Sequence, residues 1–554
     1  MSLETDIVKF TSLVEDWAGK LSDTFVSNTA ADVTIKVLDA NGAVVDITIP
    51  NHKKLSDVFE TWKAATNVVN TAGTVTDDAG AALNIDKFGG LTLAEYGALY
   101  TNFQNTTKIK LVPIDTDRGM MGYDKIAFVT ENNQVIAWGE DNEDMFNVGH
   151  SNIMYELQQA PEKQGVLITK LWVCGQHIAI LYSDGDLYMR GQQELGHFGI
   201  GNVTNQMQGF VFSHANVVDY YSCATGDQDE SPMAACILTN GNVVVAGDNG
   251  HGELGIGSQT NTYSWVNVYT NPGNDAAVKC KVNGDDVSSF HLLTETGRLF
   301  ASGYNGYGQL GFGNTTQTTT LTQISLTTNG KIIDVAASGY YDATYTGTTF
   351  LLTDTGRVYS TGYNGQGQCC SGNVTQKNSF SEIVYPHNVA TDPIISIHPL
   401  NRTFFFRTTN KHVYSVGENN YGQLGIGTTG NRSTAQLILS NITRLFPLQG
   451  ADASQYDSVI ALTTTPSLAY GWGQNDQGHL GISNDEVSSN SPKRILFNHF
   501  AKLKDMVITG YANSLTVYYV LEDGSLYGVG DNEDGQLAPY HIGGFVPQPV
   551  RIRL

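Results

Sequence analysis

Two stretches of this chain have the spacing of a phosphate cradle. Residues 250–255 and 306–311 both read GxGxxG, which binds a dinucleotide pyrophosphate when it joins a strand to the first turn of a helix. Here the pattern runs on into GIGSQTNT and GFGNTTQTTT, which lack helical periodicity, so the helix that must supply the anion site is missing. Other spacings fail in similar ways. There is no GxxxxGK[ST], GxSxG or HExxH. Acidic runs at Glu140, Asp141, Glu143 and Asp144 and at Asp531, Glu533 and Asp534 lack the ligand order of a calcium loop and read as solvated turns. Cys369 and Cys370 are adjacent; small apolar side chains in a packed position suit them better than a vicinal disulfide or a reactive thiol. No catalytic, cofactor-binding or metal-ligating residue is assigned, and no cofactor is expected.

The glycines have a different explanation, because they recur. Residues 303–314, GYNGYGQLGFGN, hold five glycines in twelve positions with Leu310 as the one aliphatic side chain, which describes a tight excursion with a single plug. Related patterns start at Gly139, Gly191, Gly247, Gly362, Gly417, Gly473 and Gly530, at intervals of 52 to 59 residues. A period of that size marks a repeat architecture. The residues that define it are Gly303, Asn305, Gly308, Leu310 and Gly311 in the fourth copy and Gly417, Asn419, Gly422, Leu424 and Gly425 in the sixth. Gln309, Gln368, Gln423 and Gln536 share one offset, where an amide can satisfy backbone groups of the turn. Tyr304, Tyr307, Tyr363 and Tyr421 suit either a contact surface or packing between repeats.

Each copy follows a strand, turn, strand segment such as HLLTETGRLFASG, with glycine in the turn at Gly185, Gly241, Gly297, Gly356 and Gly524. Asn133, Lys411 and Ser467 stand there in other copies; Lys and Ser avoid positive φ, so those two turns should differ in detail. A further strand signal, KIIDVAASG and its variants, brings the count to about four strands per period. Four antiparallel strands repeated radially make a propeller blade, and ring closure covers both faces of every sheet. The fold class is therefore mainly β, a closed propeller over residues 108–554 preceded by a small α+β domain over 1–107. Eight repeats are counted, with seven blades the alternative. The C-terminal VPQPVRIRL is expected to complete the first blade, closing the ring.

The motif G-x-N-x-x-G-Q-L-G-x-G after a T-x-x-G-x-L-Y hairpin resembles the regulator of chromosome condensation repeat family of β-propellers. Asp144 and Asn147 in copy one, Cys369 and Cys370 in copy five, and Ala538 and Tyr540 in copy eight depart from it. The resemblance implies a propeller that binds proteins. It leaves function open, because the family includes an exchange factor for a nuclear GTPase, a plant ultraviolet receptor and a bacterial protein inhibitor. The basic tail and long inserted wedge of the exchange factor are missing here, and so are the clustered tryptophans of the receptor.

Residues 1–107 carry no copy of the motif. Apolar spacing predicts helices over 7–21 and 55–68 and a short one near 94–100. Alternation around Asn41-Gly42 predicts a hairpin with a two-residue turn. Helix, hairpin and the IPNHKKL segment together look similar to attachment modules of tailed-bacteriophage virion proteins.

Bulk properties narrow the choices. A net charge of -23 gives no general attraction to nucleic acid or anionic lipid. The six cysteines have no zinc or disulfide spacing and read as reduced core residues. No signal peptide or apolar run of membrane-spanning length is found, so no membrane insertion is expected. The resemblance of residues 1–107 implies a non-enzymatic assembly protein, a bacteriophage tail, baseplate, neck or capsid-surface component able to touch the host. It would dock into a larger particle in multiple copies through the N-terminal domain and reside in the virion, with the cytoplasm the alternative. The competing readings are a cellular regulator that binds a partner on one propeller face, in the manner of an exchange factor or inhibitor, and a glycan-binding or enzymatic propeller.

Overall fold

In the computed structural model the period of the sequence becomes a period of sheets. The structure describes residues 125–554 apart from short stretches within their loops and the last two residues, and before residue 125 only isolated short strands. The chain divides into two compact units, Met1–Thr106 and Thr107–Leu554.

Among the described residues, the second unit contains seven four-stranded sheets and one five-stranded sheet. We number them in chain order: sheet 1 (109–158), sheet 2 (168–214), sheet 3 (217–269), sheet 4 (277–323), sheet 5 (332–382), sheet 6 (394–439), sheet 7 (442–494) and sheet 8 (503–552). Sheet 2 is the five-stranded one, because the short strand Met121–Gly122 adds to it in parallel at Cys174 and Gly175. Sheets 3 to 8 are meanders of consecutive antiparallel strands, sheet 1 is antiparallel with Met121–Gly122 leaving it between its first and second strands, and one motif copy falls in each of the eight sheets.

Sheet 5 shows why the sequence folds this way. Its second and third strands, Thr346–Thr353 and Val358–Gly362, are joined by a turn at Gly356, and the third is buried along its whole length. A strand covered on both faces must be apolar or small throughout, as VYSTG is. The fourth strands are more polar and partly exposed, as Thr318–Gln323 is in sheet 4. First strands begin with a bulge, seen between Ile332 and Asp334 in sheet 5 and at the same register in six other sheets.

Apolar side chains join neighbouring sheets in sequence. Phe350 of sheet 5 stacks on Phe404 of sheet 6 at 3.9 Å within one buried cluster. Another cluster combines Tyr518, Val520 and Leu526 of sheet 8 with Ile126 and Phe128 of sheet 1, so the ring is closed. Closure does not use a shared sheet, which corrects the sequence expectation. The C-terminal strand Phe545–Ile552 pairs with Leu526–Asp531 and finishes sheet 8, while sheet 1 has its own four strands. The reason lies in the frame of the period: the strand after a motif belongs to the same sheet as that motif, so Ile109–Lys110 is a complete first strand that needs no predecessor.

Ion pairs just after the bulges add to the joints. Lys170 meets Asp219 at 3.0 Å across sheets 2 and 3, Lys279 meets Asp334 at 2.6 Å across sheets 4 and 5, and Arg444 meets Asp505 across sheets 7 and 8.

The turn at Lys411 does not differ as expected. Lys411 takes φ 65° and its N–H donates to the Thr408 carbonyl at 2.9 Å, the bond that Gly356 makes to Thr353. The hydrogen-bonded hairpin around it imposes the left-handed conformation on a side chain that disfavours it. Ser467 lies outside the described residues.

In the first unit Val33–Leu38 pairs antiparallel with Val44–Ile49. The hairpin is present, but its register pairs Leu38 with Val44, leaving five residues between the strands where a two-residue turn had been expected. The three helices expected before residue 107 lie outside the described residues. No helix among the described residues is long and apolar enough to cross a membrane.

Candidate protein-binding surface

The motif begins where the third strand of each sheet ends, opposite the end that carries the Gly297 and Gly356 turns. In sheet 4, Gly303 closes the third strand, paired with Ser289, and the asparagine two residues on ties the loop together. Asn305 Oδ1 accepts from Leu310 N–H at 2.9 Å, and its Nδ2 donates to the carbonyls of Asn314 and Thr316 at 3.1 and 3.0 Å. Asn419 repeats this after Gly417, accepting from Leu424 N–H and donating to Thr428 and Gly430. Asn249, Asn364, Asn475 and Asn532 accept the equivalent N–H in their copies. Sequence reasoning missed this role, although the fixed offset of the asparagine was visible. Leu310 and Leu424 are fully buried, and Leu310 packs in the core shared by sheets 4 and 5.

The loop is also a joint to the following sheet. A Cβ at Gly308 would sit 2.5 Å from Asn378 Cα, and one at Gly422 2.5 Å from Asn490 Cα, each on the fourth strand of the next sheet. Gly311 faces Phe380 and Gly425 faces Trp472. Backbone bonds run across the seam from Gly313 N–H to Asn378 carbonyl at 2.8 Å and from Gly427 N–H to Asn490 carbonyl at 2.7 Å. The GxGxxG spacing therefore reflects close backbone approach, and a strand, Thr318–Gln323, follows it in place of a helix.

The glutamines turn inward. Gln309 Oε1 accepts from Tyr307 N–H, Gln368 from Gln366 N–H and Gln423 from Tyr421 N–H, at 3.0 to 3.1 Å. Gln536 lies outside the described residues. Glu253 occupies the same offset and accepts from His251 N–H at 2.8 Å. Burial, with the Asp248 carboxylate nearby, pushes its carboxyl up to about 8, so a neutral acid does the work of the amide. His197 and His479 hold that offset in two further copies; both are buried, and burial keeps both imidazoles neutral.

Cys369 and Cys370 are free and buried, and burial raises both thiols to about 12, which leaves them unreactive. Cys236 and Cys280 are likewise buried and form no disulfide; Cys174 and Cys223 lie outside the residues whose side chains are described. In the second acidic run Asp531 and Asn532 are buried rather than solvated, and Asp531 Oδ1 accepts from Asn532 and Glu533 N–H. The run at 140–144 lies outside the described residues. Among the described residues no group of three or more His, Cys, Asp or Glu could hold a metal ion.

Among the described residues of this end, a set of aromatic side chains stays partly open to a partner. Counting from the first glycine of each copy, the residue at offset four meets the residue at offset one of the next copy. His251 meets Tyr304 edge-on at 5.6 Å, and Tyr307 meets Tyr363 edge-on at 5.3 Å. The Arg402 guanidinium of sheet 6 then lies over the Tyr363 ring, 5.5 Å from its centre. Tyr421 continues the row at offset four. All six side chains are partly exposed. Tyr304 and Tyr363 fold back over Gly306 and Gly365 of their own loops, where a Cβ would strike the phenol. Tyr304, Tyr307 and Tyr363 thus touch between sheets and stay partly exposed, and Tyr421 is partly exposed.

Comparisons with known proteins agree with this geometry. The family model of the regulator of chromosome condensation (RCC1) repeat matches residues 296–343, which contain the fourth motif. The ultraviolet-B receptor UVR8 of Arabidopsis thaliana is 22% identical over 367 residues, 65% of this chain and 77% of the receptor. The human E3 ubiquitin-protein ligase HERC2 is 26% identical over 303 residues, 54% of this chain but only 6% of the ligase. Among solved structures, Prp20p of Saccharomyces cerevisiae superposes with a TM-score of 0.49 at 16% identity, covering 78% of this chain and 95% of that one. The recurring motif, the ring of sheets and the repeat match give one conclusion: Thr107–Leu554 is a β-propeller whose repeats are similar to those of the regulator of chromosome condensation family.

Proposed function

We propose that this propeller is a non-enzymatic platform that binds a partner protein across its motif end, in the manner of a regulator. One observation carries the reading: His251, Tyr304, Tyr307, Tyr363, Arg402 and Tyr421 form a partly exposed row over sheets 3 to 6. Tyr and Arg are enriched at interfaces because they bring large contact area with a polar end at low entropic cost. The relatives support a regulatory setting. The solved structure of Prp20p is described with its binding to Gsp1p and histones, UVR8 is a receptor, and HERC2 is a ligase of which this chain matches a small part. They lend nothing to a place in a bacteriophage virion, and the regulator reading replaces that one. A docking role for residues 1–107 remains part of the proposal, on the ground that they lack the motif.

The test is co-isolation from the source cells with tagged full-length chain. Replacing Tyr304, Tyr307 and Tyr421 together by Ala should remove the main partner and leave the melting temperature close to that of the parent. Retention of the partner by this variant contradicts the reading.

A further inference from the structure

At the register just after the bulges, sheet 6 departs from its neighbours. Elsewhere a charged residue of the first strand faces an aliphatic residue of the second: Lys170 faces Leu181, Lys279 faces Leu293 and Asp334 faces Leu352. The same holds for Asp219, Arg444 and Asp505. In sheet 6 the order is reversed, and a neutral Ser396 faces Arg407. The six first-strand charges are matched in pairs across the seams, Lys170 with Asp219, Lys279 with Asp334 and Arg444 with Asp505. Arg407 makes no ion pair or side-chain hydrogen bond among the described residues. Burial alone shifts its guanidinium, and downward, whereas hydrogen bonds to Asp275 and Glu382 raise Arg298 and Arg357. We infer that the seam between sheets 6 and 7 holds a small oxyanion, a carboxylate or phosphate group, between the Arg407 guanidinium and the Ser396 hydroxyl.

Directly opposed residues of antiparallel strands carry their side chains on one face, about 5 Å apart at Cβ, so Ser396 and Arg407 are neighbours. That face is turned to sheet 7, because Phe405, two residues before Arg407, packs in a cluster with Ile442, Leu445 and Val459. Lys411 leans across the same seam, with its Nζ 3.5 Å from Thr464 Oγ1 of sheet 7. Arg407 is partly buried. The Ser396 Oγ is buried and has no hydrogen-bond partner among the described residues, although buried hydroxyls are nearly always bonded. Ile395, next to Ser396 in the bulge, is exposed, so solvent reaches the first strand here. A partly buried cation without a counter-charge is costly, and an oxyanion that accepts from both the guanidinium and the hydroxyl removes that cost. The guanidinium fork matches carboxylate and phosphate alike through two parallel N–H donors.

Thermal melts of the full chain in sodium phosphate and in sodium acetate, each against sodium chloride at equal ionic strength, test this together with calorimetric titration of the two anions. At least one of the two should raise the melting temperature by about 2 °C over chloride, and which one does so tells phosphate from carboxylate. Arg407→Leu restores the aliphatic residue of the other sheets; it should fold, melt no lower than the parent in chloride and lose that gain. Ser396→Ala should weaken binding about fivefold. Arg551→Gln, at an exposed position on the last strand of sheet 8, should bind the anion as the parent does. Equal midpoints in chloride, phosphate and acetate, or a gain of the same size in Arg407→Leu, overturn the inference. An Arg407→Leu chain that melts well below the parent in chloride would make Arg407 part of the packing and overturn it as well.

Discussion

Within one loop, two glycines two residues apart can be separated by what lies beside them. Gly308 has φ 79° and its missing Cβ leaves room for the backbone of the next sheet at Asn378. Gly306 has no positive φ, and the nearest atoms to a Cβ there belong to the movable phenol of Tyr304. Gly308→Ala should therefore cost about 2 kcal/mol or more, from the left-handed backbone and overlap with a chain that cannot rotate away. Gly306→Ala should leave the thermal midpoint nearly unchanged while displacing Tyr304. Equal midpoints for the two variants would show that the glycines do one job. The recurrence of Gly308 was legible in the sequence as a turn requirement, but the neighbour that demands it is some seventy residues on, at Asn378, beyond what spacing within one motif can reveal.

Between elements, the seams show paired changes. The last glycine before the cross-seam bond faces Trp265, Leu321 or Phe380 on the next sheet in copies two, three and four. In copy five Cys370 takes that place with φ 52°, and the residue opposite is the small Ala435, in the same buried cluster. Ala435→Phe should be destabilising by about 1–3 kcal/mol through overpacking against Cys370, and adding Cys370→Gly should recover most of that loss. Additive losses in chemical denaturation would contradict a shared site. The departure at Cys369 and Cys370 was plain in the sequence, whereas its partner was not, because only the register between sheets aligns Ala435 with Phe380. The strand order within a sheet was legible from the hairpin glycines and apolar runs. The assignment of Phe545–Ile552 was misread because the repeat has no mark in sequence for where one sheet stops and the next begins.

Over the whole molecule, buried titratable groups set opposing pH limits. Burial lowers His177 and His479 to about 3 and His291 to about 4, so only the unfolded chain gains their protons below about pH 6.5. Stability should fall as pH drops from there towards 3 to 4, by up to about 1.4 kcal/mol per pH unit for each histidine. Glu253 is raised to about 8, and burial also raises Asp457 well above the usual carboxylate range. Their protons are held in the fold and released on unfolding, so this part of the stability falls as pH rises from about 4.5 through 8. Thermal midpoints should peak between those limits, and Glu253→Gln should raise the midpoint more at pH 8 than at pH 5. An equal gain at both pH values would mean that Glu253 is ionised in the fold.

The ring also has two ends with different offices. Turns such as Asp354-Thr355-Gly356 cover one end, and the motif loops with their tyrosines cover the other. The aromatic row was legible as four tyrosines but not as a row, since offsets one and four meet only across a seam. Site-specific photo-crosslinking from residue 307, and separately from the exposed Thr355 at the opposite end, tests the platform most directly when done in the source cells. The account predicts that the partner protein is captured from position 307 and not from position 355. Capture from 355 with none from 307 would contradict it.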